Sequence, residues 1–353
     1  MRLKSKRMSK HNKLADTLLI WGVRILFLAA IVWFVWAQNN FVISEELVFA
    51  DKNLPKSLVG YRIVHVSDFK NTNNNVYSTV RRLDPDIIVL TGGYSDADGD
   101  AKNTVKEVEK LCKIAPVYYV YNPGDKNDVL ANTSAIPLID DNVIITRELE
   151  NTEKFIKEVY GNAILKKAAK GDEESLAYIE YITASLLTPA KINLMGFSNY
   201  LTAEGEYDEN LIYKARDKAY EMTMGNGDCY NIALLGNFNL IEQICKADLD
   251  AVLFGGTFGT NQISDKYVKG MYAYDKTTLF VSSGVGNKDK KIRILNFPCV
   301  QCIVLSDGSL QPANPLEDVL GKIFKDVGTI FDNDDGFKEY NYSGEELQKD
   351  NNK

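Results

Sequence analysis

The sequence predicts an α/β fold with several parallel strands, because of the way strands and helices alternate along the chain. Apolar runs of strand length end in small or polar residues, as in "PDIIVLTGG" and "LDAVLFGG". Stretches with apolar residues at helical spacing lie between strands, as in "NTVKEVEKLCK". Strand–loop–helix alternation of this kind brings the carboxyl ends of parallel strands together at one edge of a sheet.

The chain begins with a basic tail at residues 1–14 and an apolar segment at residues 15–37. The tail has six basic side chains and no acidic one, and "TLLIWGVRILFLAAIVWFVWA" is apolar apart from Arg24. About 20 such residues cross a bilayer. A cleaved signal peptide is the alternative, but Val35 and Trp36 stand where small residues would precede the cut. We therefore expect an uncleaved single-pass anchor in the cell membrane, with a cytoplasmic N-terminus and an extracytoplasmic domain.

The chain after this tail is acidic. Removing the six positive charges of the tail from the net charge of −7 leaves about −13 for the remainder. A domain with this charge repels phosphate-rich partners, so we expect it to bind neither nucleic acid nor anionic lipid.

Five cysteines are few for a disulfide scaffold, and their odd number leaves one without a partner. Cys299 and Cys302 form a C-x-x-C within the strand-like run "FPCVQCIVL". No helix start follows this run, although a redox C-x-x-C needs one to lower the thiol pKa. We predict that both are buried structural thiols.

The folded domain is expected at residues 57–310, after a polar spacer at 38–56. Residues 152–190 are charged and helical without strand signals, which indicates an insertion. An amphipathic helix is expected at 311–331, starting with an Asn-Pro pair as cap and first residue. This helix either docks on the domain or binds a partner. The acidic residues 332–353 are expected to be disordered.

Other chemical motifs in the sequence are weak. "SDADGD" and "DNDDG" indicate solvated acidic loops, because their glycines come too early for an EF-hand and the closing glutamate is missing. His65 is the only histidine after the span, and we expect it to be a hydrogen-bonded core residue. No Ser-His-Asp or Cys-His arrangement is therefore predicted. The spacing of Ser67 and Lys70 permits a serine–lysine pair, which nothing else in the sequence supports.

Between residues 57 and 305, the order of the strand-end loops resembles that of the calcineurin-like metallophosphoesterases, in particular their membrane-anchored bacterial branch. The family opens with D-x-H after a strand, and "VHVSDFK" keeps Asp68 but has Lys70 in place of the histidine. The next family strand ends in L-T-G-D, whose aspartate bridges two metals, and here "VLTGG" ends in Gly93.

The later motifs of the family are also altered. In "VYYVYNPGD", Pro123 replaces the asparagine ligand and Gly124 the catalytic histidine of G-N-H-D, and only Asp125 is kept. Asn237 stands in place of a histidine ligand in "ALLGNFN". In "GGTFGTNQ" both histidines of G-H-T-H-G-G-Q are lost, and the residues at their positions are Gly256 and Phe258. Downstream, "LFVSSGVG" and "KIRILNFP" match the closing strands of the family.

The resemblance implies a four-layer sandwich of two mixed β-sheets flanked by helices, preceded by one transmembrane helix. Of the seven metal-ligand positions that it implies, only Asp68 keeps a ligand, so we expect no metal, no cofactor and no catalytic residue. A lysine ammonium beside a divalent ion would repel it. Lys70 is therefore expected to pair with Asp68 or Asp125 in place of the metal, or to be a solvated loop residue.

These observations predict a catalytically inactive, membrane-anchored protein that binds or scaffolds in the cell envelope, with another envelope protein as its candidate partner. One alternative is an active phosphoesterase whose rebuilt site uses Asp68, Asp125 and residues of the insertion. Another alternative is a purely structural envelope protein that has no ligand pocket.

Overall fold

The computed structural model describes residues 2–70, 76–95, 100–122, 125, 128–149, 151–198, 209–255, 269–286, 293 and 296–310, with side chains from residue 17 onward except that of Glu209. The chain divides into two compact units, Met1–Gln311 and Pro312–Lys353. All residues described below belong to the first unit. The expected C-terminal helix and acidic tail, and the loop "DNDDG", lie outside the described residues.

The first unit is α/β, as predicted. Its described α-helices are α1 Arg2–Asn40, α2 Val76–Arg82, α3 Lys102–Leu111, α4 Thr152–Val159, α5 Asn162–Ala168, α6 Glu173–Leu186, α7 Glu209–Met224 and α8 Ile241–Ile244. Its described strands are β1 Ile43–Ala50, β2 Arg62–Val66, β3 Ile87–Thr91, β4 Val117–Val120, β5 Ile136–Pro137, β6 Asp141–Arg147, β7 Ala190–Phe197, β8 Tyr230–Leu235, β9 Ala251–Phe254, β10 Gly270–Tyr274, β11 Thr277–Val281 and β12 Cys299–Ser306.

The strands form two mixed sheets of six strands each. The first sheet has the order β1-β12-β2-β3-β4-β5, and the second has the order β10-β11-β9-β8-β7-β6. In the first sheet only the pairing of β12 with β2 is antiparallel. In the second sheet the pairs β10–β11 and β6–β7 are antiparallel and the others are parallel. The parallel strands β2, β3 and β4 of the first sheet and β7, β8, β9 and β11 of the second sheet end on the same side of the domain. We call this side the strand-end edge.

Three apolar clusters show how the layers pack. One joins the facing sides of the two sheets and includes Ile63, Val89, Ile232 and Leu253. A second lies between the first sheet and the helices α2 and α3, and a third lies between the second sheet and the helices α7 and α8. Two mixed sheets flanked by helices were predicted, and this arrangement is confirmed.

The spacer predicted at residues 38–56 is wrong, because it contains β1. This strand pairs in parallel with β12, with Ile43 opposite Cys299 and Ala50 opposite Ser306. Its sequence "ISEELVFA" has charged residues because most of the strand is half-buried or exposed. The strands β5, β6 and β10 were also not predicted.

The closing segment "KIRILNFP" also differs from its interpretation as a strand. Its described residues, Arg293 and residues 296–298, are not in a strand, and β12 begins directly after them. The insertion, in contrast, forms the helices α4, α5 and α6 as expected. Asn151 and Asp172 cap α4 and α6, since each side chain accepts a hydrogen bond from a backbone amide in the first turn.

Within α1, residues Thr17–Asn40 are long and apolar enough to cross a membrane. The apolar side chains from Leu18 to Phe34 are exposed to the surroundings of the protein, and they would be unfavourable in water. This segment is consistent with a single-pass membrane protein, as predicted from the composition.

Candidate functional site

Asp68 lies two residues after the end of β2 at the strand-end edge, in a left-handed backbone conformation with φ of 56°. Its side chain is fully buried, and its backbone amide donates to Gly92 O at 2.9 Å. A methyl group added to Gly284 would lie 2.6 Å from Asp68 Oδ2. The carboxylate is therefore packed against the backbone of the loop after β11, as close as a glycine permits.

A buried arginine, Arg293, supplies positive charge near Asp68. Burial lowers the pKa of Arg293 to about 10, and the negative charge of Asp68 opposes this shift. The guanidinium Nη2 donates to the carbonyl oxygens of Ser283 and Gly284 at 3.0 Å each, and also to Gly286 O. Sequence reasoning missed this residue, although an arginine between two isoleucines in "KIRIL" was a signal that a charge is buried there.

Lys70 also lies at the strand-end edge and is partly buried. Its backbone amide donates to Gly93 O at 2.7 Å, which joins the loop after β2 to the loop after β3. The pairing of its ammonium with Asp68 or Asp125 stays a prediction.

Asp125 holds the loops after β3 and β4 together. Its Oδ2 accepts hydrogen bonds of 2.8 Å from the amides of Gly93 and Asn122, and its Oδ1 accepts one of 2.8 Å from the amide of Tyr94. The amide of Ser95 also donates to this carboxylate. Burial raises the pKa of Asp125, and these backbone hydrogen bonds oppose the rise. Both carboxylate oxygens are thus engaged by the protein itself.

The conformation of the loop after β3 depends on its two glycines. Gly92 and Gly93 have φ values of 77° and 74°. A methyl group on Gly92 would lie 2.0 Å from Asn122 Cγ, so no side chain fits at this position. Tyr94 then turns inward, where its hydroxyl accepts from the Gly92 amide at 2.9 Å and donates to Val120 O at 2.7 Å. Its ring packs among Phe69, Tyr119 and Tyr121.

Asn122 and Asn237, at the strand-end edge, each have a buried side-chain atom without a hydrogen-bond partner among the described residues. Asn237 caps a short 3-10 helix, and its Oδ1 accepts from the Asn239 amide at 3.1 Å, but its Nδ2 has no hydrogen-bond partner. Asn122 Oδ1 is buried without a partner as well. Such atoms are uncommon in proteins and usually meet an ordered water or a ligand.

Among the predicted site residues, Pro123, Gly124, Gly256 and Phe258 lie outside the described residues.

The two sheets approach each other closely at the same edge. A methyl group on Gly236, after β8, would lie 1.7 Å from Tyr121 O. A methyl group on Gly255, after β9, would lie 2.3 Å from Ser67 Cβ. Ser67 Oγ also donates to Ser282 Oγ at 2.9 Å, across the sheets. At these three points the strand ends of the two sheets are in direct contact.

His65 belongs to the core, as predicted. Its Nε2 lies 2.8 Å from Thr91 Oγ1, and its Nδ1 lies 3.3 Å from Gln301 Oε1. Gln301 Nε2 in turn donates to Val281 O in the second sheet at 3.0 Å. Burial lowers the pKa of His65 to about 4, so the imidazole is neutral at physiological pH.

The cysteines are free thiols, which confirms the prediction for Cys299 and Cys302. Both are buried, and burial raises their pKa values to about 12 and about 11. Thiols with such pKa values are protonated at neutral pH and are poor nucleophiles.

The insertion lies at the opposite edge of the sheets. Tyr160, which caps α4, places its hydroxyl 3.3 Å from Asp307 Oδ2, and Asp307 also pairs with Lys56 at 2.5 Å. Asp307 follows β12, which is antiparallel to β2, so it lies at the edge where β2 begins. These contacts of the insertion are therefore remote from Asp68 and Asp125.

A cavity of about 870 Å³, which was not predicted, also lies at this opposite edge. Its walls include Asp51, Asp250 and Lys276. Burial raises the pKa of Asp250 to about 6, and the negative charges of Asp51 and Asp248 add to the rise. The Asp250 carboxylate accepts from the Asn231 amide at 2.6 Å, and Asp51 accepts from Tyr230 Oη at 3.0 Å.

Within the described part of the chain, no group of three or more His, Cys, Asp or Glu side chains is arranged to hold a metal ion.

Comparison with known proteins gives few matches. No protein-family description matches the sequence, and no curated protein matches it either. One solved structure that matches is GAP50, the anchor in the inner membrane complex of Plasmodium. It is 9% identical to this chain, with a TM-score of 0.39, and the match covers 67% of this chain and 75% of that one. A likeness this distant carries no argument about fold or function.

Proposed function

We propose that this chain is a non-catalytic protein of the metallophosphoesterase type, anchored in the cell membrane by α1. Its domain lies on the extracytoplasmic side, where it binds or scaffolds another component of the cell envelope. The resemblance of the strand-end motifs supports the family, and the altered ligand positions support the loss of catalysis.

The observation that carries the proposal is the use of Asp125 inside the protein. Asp125 is not one of the seven ligand positions that the resemblance implies, but a rebuilt two-metal site would need it, with lone pairs free to bind the ions. The lone pairs of Asp125 accept hydrogen bonds from the amides of Gly93, Tyr94 and Asn122. This carboxylate therefore organises two loops and is poorly placed to hold a metal as well.

The surroundings of Asp68 support the same conclusion. Its carboxylate is packed against Gly284 and lies in the field of the buried Arg293. A guanidinium in this position stabilises the carboxylate and opposes the approach of a divalent cation. We infer that Arg293 has the charge-balancing role that the sequence suggested for Lys70.

The rebuilt-site phosphoesterase is less well supported, because its site would need residues of the insertion. The contacts that Tyr160 makes with Asp307 lie at the edge opposite Asp68. A purely structural role is also less well supported. The buried polar atoms of Asn122 and Asn237 at the strand-end edge favour a binding role, because such atoms usually meet an ordered water or a ligand.

The test uses the full chain in detergent, dialysed against manganese, zinc or iron. We expect elemental analysis to find far less than one metal per chain, and no turnover of an aryl phosphodiester above a blank. The matched control is Asp68→Asn, which should give the same values as the parent chain. Near-stoichiometric metal, or turnover that Asp68→Asn abolishes, would overturn the proposal.

The proposed topology has its own test in intact cells that carry an epitope tag at Met1. The basic tail at residues 1–14 predicts that an externally added protease cuts the domain and spares the tag. Protection of the whole chain would show that the domain is not extracytoplasmic.

A further inference from the structure

The last turn of α1 is partly buried in the domain. Trp36 is 53% exposed, but Ala37 and Gln38, which follow it, are only 4% and 1% exposed. The helix therefore passes from its exposed apolar part into the folded domain within one residue. No flexible linker separates the two parts.

Asn39 fixes this junction through hydrogen bonds in both directions. Its Oδ1 accepts from the backbone amide of Arg293 at 2.8 Å, and its Nδ2 donates to Arg293 O at 3.1 Å. Four residues further on, the Ile43 amide donates to Pro298 O at 2.9 Å, where β1 begins beside β12. The short segment between α1 and β1 is therefore held by hydrogen bonds at both of its ends.

Arg293 connects this junction to the strand-end edge. Its guanidinium binds the carbonyl oxygens of Ser283 and Gly284. The same loop continues through Val285, whose amide donates to Ser67 O at 2.9 Å. The end of α1 is therefore attached to the loop after β11 and, through it, to the end of β2.

The length of the span sets the distance between this edge and the bilayer. Residues Thr17–Asn40 form 24 residues of helix, and about 20 of them cross a hydrocarbon layer of about 30 Å at 1.5 Å per residue. Counted from Thr17, the twentieth residue is Trp36, and tryptophan is enriched at the membrane–water interface. The buried residues Ala37 and Gln38 then lie within about one helical turn of the hydrocarbon boundary.

We propose that the domain is oriented with the part of the strand-end edge around β2 and β11 towards the phospholipid headgroups of the membrane in which α1 is anchored. The proposal rests on α1 crossing that membrane, and it is independent of catalysis. Phe41 and Ile43, which are 50% and 39% exposed beside the junction, add apolar contact with the interface. The acidic domain gains nothing from anionic lipid, so zwitterionic headgroups suit this surface best.

In this orientation the opposite edge, with the insertion and the 870 Å³ cavity, points away from the bilayer. Any ligand that reaches Asn122 or Asn237 must then approach along the membrane surface.

The test measures energy transfer from labelled cysteines to a lipid-bound acceptor, with the full chain reconstituted in phosphatidylcholine nanodiscs. The half-exposed Cys112 and Cys229 are first replaced by serine to leave the buried thiols unlabelled. Lys70→Cys then places a donor at the strand-end edge. Met224→Cys, at an 83% exposed position beside the cavity, places a donor at the opposite edge.

We expect at least roughly twofold higher transfer from position 70 than from position 224, because a domain of this size is on the order of 40 Å across. Equal transfer from both positions, or higher transfer from position 224, would overturn the proposal. The melting temperature of each variant shows that it is folded.

A second variant tests the role of the rigid junction. Six Gly and Ser residues inserted between Trp36 and Ala37 span about 13 Å on average and leave the pairing of Asn39 with Arg293 intact. We expect the difference in energy transfer between positions 70 and 224 to fall to less than half of its value in the chain without the insertion. A difference that is unchanged by the insertion would show that docking of α1 does not orient the domain, which would also overturn the proposal.

Discussion

Asp125 and Gly93 are joined by a hydrogen bond of 2.8 Å from the Gly93 amide to Asp125 Oδ2. In the metallophosphoesterases, the family that we propose for this chain, the position of Gly93 is occupied by the aspartate that bridges two metals. A carboxylate at both positions would bring two negative charges together, and a bound cation or a proton would be needed to balance them. With glycine at this position, the charge of Asp125 is balanced by backbone amides.

The first prediction concerns Asp125→Ala. The substitution leaves the amides of Gly93, Tyr94 and Asn122 without their acceptor, and each unpaired buried donor costs about 1–3 kcal/mol. We expect the free energy of unfolding, measured by urea denaturation, to fall by at least about 3 kcal/mol. The control is the exposed Asp128→Ala in the same loop, for which we expect a change below about 0.5 kcal/mol. Equal stability of the two variants would contradict the role assigned to Asp125.

The second prediction compares two glycines. Gly236→Ala places a methyl group 1.7 Å from Tyr121 O, so the strand ends must separate. We expect the variant to lose about 2 kcal/mol or more, or to fail to accumulate as a folded protein. Gly227→Ala places its methyl group in open space and should be neutral or slightly stabilising. If thermal melting shows no difference between the two variants, the close contact of the sheets at Tyr121 is wrong.

The third prediction concerns His65 and acid. Burial lowers the pKa of His65 to about 4, below its ordinary value of 6.5. The stability due to neutral His65 is therefore complete above pH 6.5 and is lost as the pH falls towards 4. Between pH 7 and pH 4, we expect the parent chain to lose about 3 kcal/mol more stability than His65→Asn, which does not titrate. Parallel pH profiles for the two proteins would show that His65 is not buried in the neutral form.

The fourth prediction concerns Asp250, whose contribution to stability changes with pH in the opposite direction to that of His65. Burial raises the pKa of Asp250 from 3.8 to about 6, and the charges of Asp51 and Asp248 contribute. The contribution of Asp250 is therefore most favourable below pH 3.8 and is lost as the pH rises through 6. Asp250→Asn keeps an acceptor for the Asn231 amide and does not titrate. Relative to the parent chain, we expect the free energy of unfolding of Asp250→Asn, measured by urea denaturation, to rise by about 2 kcal/mol between pH 4 and pH 7.5. A difference in stability between Asp250→Asn and the parent chain that does not change with pH would contradict this prediction.

The fifth prediction concerns the thiols. Cys245, Cys299 and Cys302 are buried, and burial raises their pKa values to about 12, about 12 and about 11. We expect a colourimetric thiol reagent to modify only Cys112 and Cys229 rapidly in the native protein, and all five cysteines in denaturant. Fewer than five reactive thiols in denaturant would indicate a disulfide.

The central strands could be predicted from the sequence because burial on both faces produces a continuous apolar run, as in β3 and β8. The strands β1, β6 and β10 were missed for the converse reason. They lie at the edges of the sheets and most of their residues are half-buried or exposed, so burial does not require a continuous apolar run in their sequences. An edge strand such as "ISEELVFA" differs little from a polar linker until its partner is known.

At the candidate site, the sequence correctly placed Asp68, Gly93 and Asp125 after neighbouring parallel strands. It could not show what these residues bind, because the partners are backbone amides and carbonyl groups, which every residue has. Arg293 was missed for the same reason, since its guanidinium contacts the carbonyl oxygens of Ser283 and Gly284. The position of the insertion depends on tertiary packing, so local sequence patterns could not predict it.

The position of β12 between β1 and β2 determines when the first sheet can be completed during synthesis. Ile43 pairs opposite Cys299, so the two partners are separated by about 250 residues of chain. Ribosomes add about 5–20 residues per second, so β1 leaves the ribosome roughly 10–50 s before its only neighbour in the sheet. During that interval β1 and β2 both present unpaired backbone groups, which favours pairing with other chains. Shielding of the nascent chain until β12 has emerged would therefore prevent such pairing with other chains.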